Sequence, residues 1–277
     1  MILLFLGRKR LMISFDEGKY TFHHTIGTPK KDRFRRHMHN GYEILYFLSG
    51  DAEYIIKGSV YRLKPRDLLF IHPRTFHNLI PLTDATYERF CINFPENRIP
   101  EVLLPFAEHS EEIYRIPKDS LVDRFFENWA EAEKQFSEEE MRVYLYPQIS
   151  TVLLYLCHLP SEAAVKPIHE NRTLEKILRY IDEHPEEPLT AESLSAKFYM
   201  STSWIVHTFR QMLGISLMQY IAKKRILYAE SLLRAGNSPT EVFKRCHYES
   251  YSTFYRQYKK ILGHSPQEDA RTAKNGS

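Results

Sequence analysis

The chain predicts an α+β fold in two domains: an amino-terminal β-barrel with helices after it, and an all-α carboxy-terminal domain holding two helix-turn-helix units. Three observations carry that expectation. The 277 residues exceed the usual size of one domain, and 43% of them are apolar, enough for two cores. The hydrophobic pattern changes along the chain, from short runs broken by turn residues to helical spacing. Towards the carboxy terminus one pattern occurs twice, 49 positions apart: Ser201, Ser203, Ile205, Phe209, Arg210, Gly214 and Ser216 return as Ser250, Ser252, Phe254, Tyr258, Lys259, Gly263 and Ser265.

The first domain is expected over 12–159. From about Tyr20 to Phe94, strands are predicted at 43–48, 53–56, 60–63, 67–71 and 87–94, with Lys57-Gly58-Ser59 as a tight hairpin. Short strands at regular spacing favour a small barrel or sandwich. Over 120–159 the period is helical, with Leu121, Phe125, Trp129 and Ala132 on one stripe and Val143, Ile149, Val152, Leu153 and Leu156 on a later one; Pro147 interrupts or opens a helix there. The stripe at Phe125 and Trp129 reads either as a surface for a second copy of the chain or as packing inside the domain. Residues 108–140 carry eleven acidic against four basic side chains, a solvated face that a polyanion would avoid.

Residues 160–171, with two prolines and few large apolar groups, read as a linker. A helical domain follows over 172–271. Leu174, Ile177, Leu178 and Ile181 form an i, i+3, i+4, i+7 face on a helix that ends near His184-Pro185. Thr190 caps a short helix to Phe198, and Ser201 caps the next, to Leu213. One long helix is expected over 216–234, with Tyr220, Ile221, Ala229, Leu232 and Leu233 inward. Ser238-Pro239-Thr240-Glu241 is a capping box with proline at the first helical position, and Ser250 caps a last helix to Leu262.

Charge separates the two ends. The formal net charge is +3, yet 197–260 holds eleven Lys or Arg against three Glu, whereas the first 169 residues are balanced at 22 basic and 23 acidic. A neutral module joined to a polyanion-binding one accounts for this asymmetry. Cys91, Cys157 and Cys246 lie far apart with no Cys-x-x-Cys spacing, which indicates neither a zinc ribbon nor a disulfide framework and fits a reducing cytoplasm. The apolar opening, Met1 to Leu6, is too short for a secretion signal, and its positive charges at Arg8 and Arg10 follow it instead of preceding it. No run reaches the roughly 18 apolar residues of a membrane span, so no membrane partner is expected.

Two helical units joined by a helix point to double-stranded DNA. In such a unit one helix braces another, whose outward face enters the major groove. Ile205 and Phe209 face inward, leaving Thr202, Ser203, Val206, His207 and Arg210 outward; in the second copy Phe254 and Tyr258 pack, leaving Tyr251, Ser252, Tyr255, Arg256 and Lys259 outward. These ten residues are the expected DNA contacts. Arg256 is the candidate for bidentate guanine recognition, while Lys259, Lys260 and Arg210 suit phosphate. Arg225 reads either as a phosphate contact or as an internal salt bridge.

The run containing Leu194, Ser201, Phe209, Gly214, Ser216, Tyr220, Arg225 and Ala229 resembles the DNA-binding domain of AraC-type transcriptional regulators, and Tyr248, Ser252, Phe254, Arg256, Tyr258, Lys259, Gly263, Ser265 and Pro266 extend the likeness to the second copy. His247 stands where that family usually has glycine, Phe243 where it has alanine, and the aromatic residue expected after Ser265-Pro266 is missing. Upstream, His37-x-His39, Glu43, Gly50 and His77 resemble the cupin metal motif, with Lys31 and Arg66 in place of its framing glycines. The stretches around Glu43 to Gly50 and Leu63 to Leu69 are similar to AraC-type sensor domains.

The resemblance implies a cupin-like β-barrel for the first domain. Three imidazoles and a carboxylate either hold a divalent metal such as manganese, iron, nickel or zinc, or line an organic-ligand pocket, or are satisfied within the fold. The effector-binding residues assigned are His37, His39, Glu43, Tyr46 and His77; no catalytic residue, metal or cofactor is assigned. The expected function is that of a cytoplasmic, DNA-binding transcriptional regulator responding to a small-molecule effector, a sugar by family resemblance. It acts as a homodimer, with RNA polymerase as a further partner. The alternative is a metal-dependent cupin oxygenase or isomerase with an accessory helical domain.

Overall fold

The computed structural model of the protein describes residues 20–28 and 37–275. The expected start of the first domain at 12, the opening Met1 to Leu6 and Lys31 lie outside those residues. The chain divides into two compact units between Glu170 and Asn171.

The first unit holds two antiparallel sheets. Strands β1 (Thr21–Gly27), β2 (Tyr42–Ser49), β5 (Asp67–Ile71), β7 (Tyr87–Phe94) and β8 (Ile113–Arg115) form the larger, in the order β1-β7-β2-β5-β8; β3 (Ala52–Ile56), β4 (Ser59–Arg62) and β6 (His77–Pro81) form the smaller, in the order β4-β3-β6. Strands β1, β6 and β8 were not singled out from sequence. β6 carries Asn78 and Pro81, poor strand residues, and is tolerated because it lies at a sheet edge. Ile56 pairs with Ser59 across a two-residue turn in which Lys57 (φ 50°) and Gly58 (φ 90°) are both left-handed.

The larger sheet is covered on both faces, which is why Ile44 to Leu48 of β2 form an unbroken apolar run. Leu45, Phe47, Leu69 and Tyr87 pack towards Tyr54, Ile56 and Leu79 of the smaller sheet. The opposite face, with Phe22, Ile44, Tyr46, Phe90 and Ile92, is roofed by helices that follow α1 (Leu104–His109): α2 (Leu121–Gln135), α3 (Glu138–Leu145) and α4 (Gln148–Cys157). Phe125 and Trp129 are buried in that layer, Trp129 beside Phe90 at 4.7 Å between ring centroids. The reading of this stripe as a surface for a second chain is therefore corrected: the outer face of the sheet needs the cover. Pro147 opens α4, and Val143, expected on the inward stripe, is 77% exposed.

Segment 160–171 is not a loose tether. Val165 N–H donates to the Ile113 carbonyl (2.9 Å), Ile168 N–H donates to the Val60 carbonyl (2.8 Å), and Val60 N–H donates to the His169 carbonyl (2.9 Å). The segment thus pairs with β8 and β4, each at the edge of its sheet, and satisfies backbone groups that would otherwise be left exposed. Backbone pairing needs no apolar side chains, so composition did not reveal it.

The second unit comprises α5 (Arg172–Glu183), α6 (Ala191–Phe198), α7 (Thr202–Thr208), a π-helical turn at Phe209–Leu213, α8 (Leu217–Arg234), α9 (Pro239–Arg245), α10 (Tyr251–Leu262) and α11 (Pro266–Asn275). The expected caps Thr190, Ser201, Ser238 and Ser250 are present, and Asn171 and Ser216 add two more: each of the six accepts a hydrogen bond from a backbone N–H of the first helical turn. The helix expected to run from Ser201 to Leu213 instead widens into the π turn after Thr208, keeping Phe209 and Leu213 in the core. Helix α11 was not foreseen. Ser265 and Glu268 form its opening hydrogen bonds, repeating the role of Ser216 at α8.

Two departures from glycine have one explanation. Arg66 (φ 71°) and His247 (φ 56°) both adopt the left-handed conformation that glycine takes easily, so the backbone turn survives the side chain. Each side chain is then held, Arg66 Nε by the Asp123 carboxylate at 3.2 Å and His247 Nε2 by the Glu186 carbonyl.

Candidate functional site

In the first unit the site begins with the period of two along β2. Glu43, Leu45 and Phe47 point between the sheets, whereas Ile44 and Tyr46 point to the helices. Glu43 pairs in register with Asn93, Leu45 with Cys91, and Phe47 with Arg89, so those β7 side chains share the interior face. Gly41 lets β2 start tightly against the end of β7, since a Cβ there would lie 2.4 Å from the Phe94 carbonyl oxygen.

His37, His39, Glu43 and His77 converge, each offering one ligand atom within 4.8 Å of the others. His39 Nε2 is 3.3 Å and His77 Nε2 4.0 Å from Glu43 Oε2. Burial, opposed by Glu43, pushes the His77 pKa down to about 4. Burial also works against protonation of His39, but the Glu43 carboxylate beside it outweighs that cost and raises its pKa. For Glu43, burial is overcome by the His39 contact and by the charges of His77, His39 and Arg89, so its carboxyl stays well below the usual range.

Tyr46, assigned to the effector from sequence, does not join this group. Three positions from Glu43, it falls on the opposite face, where its hydroxyl donates to Asp123 at 2.5 Å and its ring stacks on Phe126 at 4.3 Å. The interior instead holds Tyr54, Arg89, Cys91 and Asn93, which the sequence reading missed. For Arg89, Cys91 and Asn93 the signal was the alternation along β7, and for Tyr54 that along β3. Tyr54 Oη donates to Glu43 Oε1 across the sheets at 3.4 Å, and Asn93 Nδ2 donates to Thr21 Oγ1 at 2.9 Å. Burial, reinforced by Glu43, raises the Cys91 pKa and keeps it a thiol. These polar groups stand among the buried apolar side chains that the two sheets pack together.

In the second unit, Ser203, Val206, His207 and Arg210 are exposed on the first copy, with Thr202 half-buried. Ser252, Arg256 and Lys259 are exposed on the second; Lys260 is exposed beside them. Tyr251 and Tyr255 are half-buried, and Tyr251 also packs edge-on to Phe243 at 5.7 Å and accepts from Gln267 at 2.6 Å. Phe243, large where alanine was expected, thereby braces the start of α10. Arg225 turns inward, Nη2 donating to the Glu187 carbonyl at 2.9 Å, an internal role that removes it from the phosphate candidates. No described helix is long and apolar enough to cross a membrane.

Comparison with known proteins follows the same division. Residues 22–143 match the AraC-like ligand binding domain, and residues 194–272 match a helix-turn-helix domain. The chain belongs to the AraC family of transcriptional regulators. The HTH-type transcriptional regulator YdiP of Escherichia coli is 25% identical over 94% of this chain and 92% of its own length. The HTH-type transcriptional activator RhaS of Klebsiella pneumoniae is 20% identical, over 85% and 87%. Among solved structures, ToxT of Vibrio cholerae is 16% identical over 90% of this chain and 98% of its own, with a TM-score of 0.38. This AraC-family chain thus has a ligand-binding domain before its helix-turn-helix domain.

Proposed function

We propose that the protein is a sequence-specific, effector-responsive regulator that grips two successive major grooves with the outward faces of α7 and α10. The observation that carries this reading is the duplicated helical module with its basic outward side. Helix α8, with 18 residues, spans about 27 Å at 1.5 Å per residue, comparable with the roughly 34 Å between successive groove faces. Thr202, Ser203, Val206, His207 and Arg210 face one groove and Tyr251, Ser252, Tyr255, Arg256 and Lys259 the next.

The effector binds between the sheets, where Glu43, Tyr54, Arg89 and Asn93 orient a small polar molecule, carbohydrates being the first class to test. The protein acts in the cytoplasm as a homodimer and signals to RNA polymerase. Leu121, Val143 and Leu154, each at least 52% exposed on the helical layer, supply apolar surface for a second copy. Selection of genomic fragments by the full chain, against an excess of unrelated duplex, tests the DNA reading: recurrent enrichment of one motif supports it, and uniform recovery contradicts it. A thermal-shift screen of monosaccharides tests the effector reading separately.

A further inference from the structure

We propose that a second small-molecule site lies at one end of the larger sheet and takes the ammonium group of a small aliphatic amine. A cleft of about 310 Å³ opens there, with Asn40, Tyr42, His72, Arg74, Glu96 and Glu108 in its lining. Antiparallel order brings these residues together. Strands β7, β2 and β5 are neighbours, so Tyr42, the first residue of β2, stands beside His72 and Arg74, which follow β5, and beside Glu96, which follows β7. Glu108 comes from α1. The cleft is separate from the interior assigned to the effector: Tyr42 belongs to the face of the sheet that Ile44 and Tyr46 occupy, out of phase with Glu43.

Tyr42 is the floor. It is 3% exposed, its ring stacked on Phe70 at 5.2 Å and on Phe94 at 5.8 Å and edge-on to His72 at 6.0 Å. Its hydroxyl has no hydrogen-bond partner among the described residues, although a buried phenol usually finds one. Glu96 and Glu108 are exposed, form no ion pair among the described residues, and stand near enough for their charges to act on that hydroxyl. The phenol oxygen and both carboxylates can accept, and an ammonium supplies three donors and no acceptor. Its charge strengthens each bond it makes to a carboxylate.

The rest of the lining narrows the ligand. Burial pushes the His72 pKa down to about 4, with Lys57 adding to the fall, so this imidazole is neutral at physiological pH and does not compensate the carboxylates. A bare metal ion fits less well, because His72, Glu96 and Glu108 do not gather their donor atoms within 4.8 Å of one another, as His37, His39, Glu43 and His77 do. The volume lies at the lower end for ligand clefts and suits a metabolite. Arg74, also in the lining, suits a carboxylate carried by the same molecule. This site goes beyond the effector and DNA readings and depends on neither.

The test is calorimetric titration of the full chain with putrescine and with lysine, butanediol serving as the uncharged analogue. The expected result is saturable binding of one amine per chain, absent with butanediol and weakened by added salt. Glu96→Gln and Glu108→Gln, at exposed side chains, each weaken it by about tenfold, and Tyr42→Phe, which keeps the stacked ring, weakens it by a smaller factor. Glu101→Gln, exposed and outside the cleft, leaves it unchanged. Tighter binding of lysine identifies amino acids as the source, and tighter binding of putrescine identifies diamines. A folded chain that binds neither amine at millimolar concentration overturns the assignment. Equal uptake of butanediol overturns it because charge is then irrelevant, and binding that survives both glutamine substitutions overturns it because the amine then sits elsewhere.

Discussion

The two copies of the helical module share a frame and differ in what they display. Ser201 and Ser250 cap α7 and α10, Ile205 and Phe209 occupy the buried positions of Phe254 and Tyr258, and Gly214 and Gly263 end both segments in the left-handed conformation. Outward, the first copy shows Thr202, Ser203, Val206, His207 and Arg210. The second shows Tyr255, Arg256, Lys259 and Lys260. Caps, core and stop residues recur because they set where each outward face points, whereas the outward positions themselves differ. The second copy is also locked differently. Asp269 on α11 accepts from Tyr258 Oη and His264 Nε2, both at 2.6 Å, and from Arg234 Nε at 3.1 Å.

Perturbations of the shared frame should have the largest effects. Phe254→Ala and Phe209→Ala, each at a fully buried ring, should each destabilise the second unit by about 3–5 kcal/mol in denaturant unfolding; a loss confined to one of them would break the equivalence of the copies. Asp269 separates them. Burial raises its pKa, but Tyr258, His264 and Arg234 outweigh burial and hold it below the ordinary carboxylate value. A carboxyl depressed in the folded state stabilises above its unfolded pKa of about 3.8, and that contribution is lost as pH falls through the lower folded value. Asp269→Asn should therefore cost about 2 kcal/mol at neutral pH and flatten the acid limb of the stability curve. An unchanged acid limb would remove Asp269 from the account.

Smaller effects test the outward faces. Arg256→Ala should cost about 1–3 kcal/mol of binding to the selected motif and relax preference at one base pair, read by competition between duplexes. Ser201→Ala should lower stability by about 1 kcal/mol, matched by Ser250→Ala if both caps act alike. Lys259→Ala should weaken every duplex alike and reduce the slope of log affinity against log salt by about one. A sequence-selective loss there would exchange the roles given to Lys259 and Arg256.

Much of this frame was legible in the sequence because it is written in local chemistry. Caps at Ser201 and Ser250, the apolar face of α5 and the Lys57-Gly58 turn need only neighbouring residues to be recognised. What was not legible depends on long-range pairing. The clasp of 161–169 on two sheet edges, the inward turn of Arg225 and the lining residues Tyr54, Arg89 and Asn93 follow from strand register and packing. His37, His39, Glu43 and His77 were readable as a group through their resemblance to the cupin metal motif. Tyr46 was misplaced by failing to count an odd step along a strand.

The most direct test of the central claim is hydroxyl-radical footprinting of the full chain on a selected genomic fragment at low ionic strength. Two successive major grooves, each gripped by one module, predict two protected windows on one face of the duplex, about 10 base pairs apart. A single window, or no retained duplex at all, would contradict it.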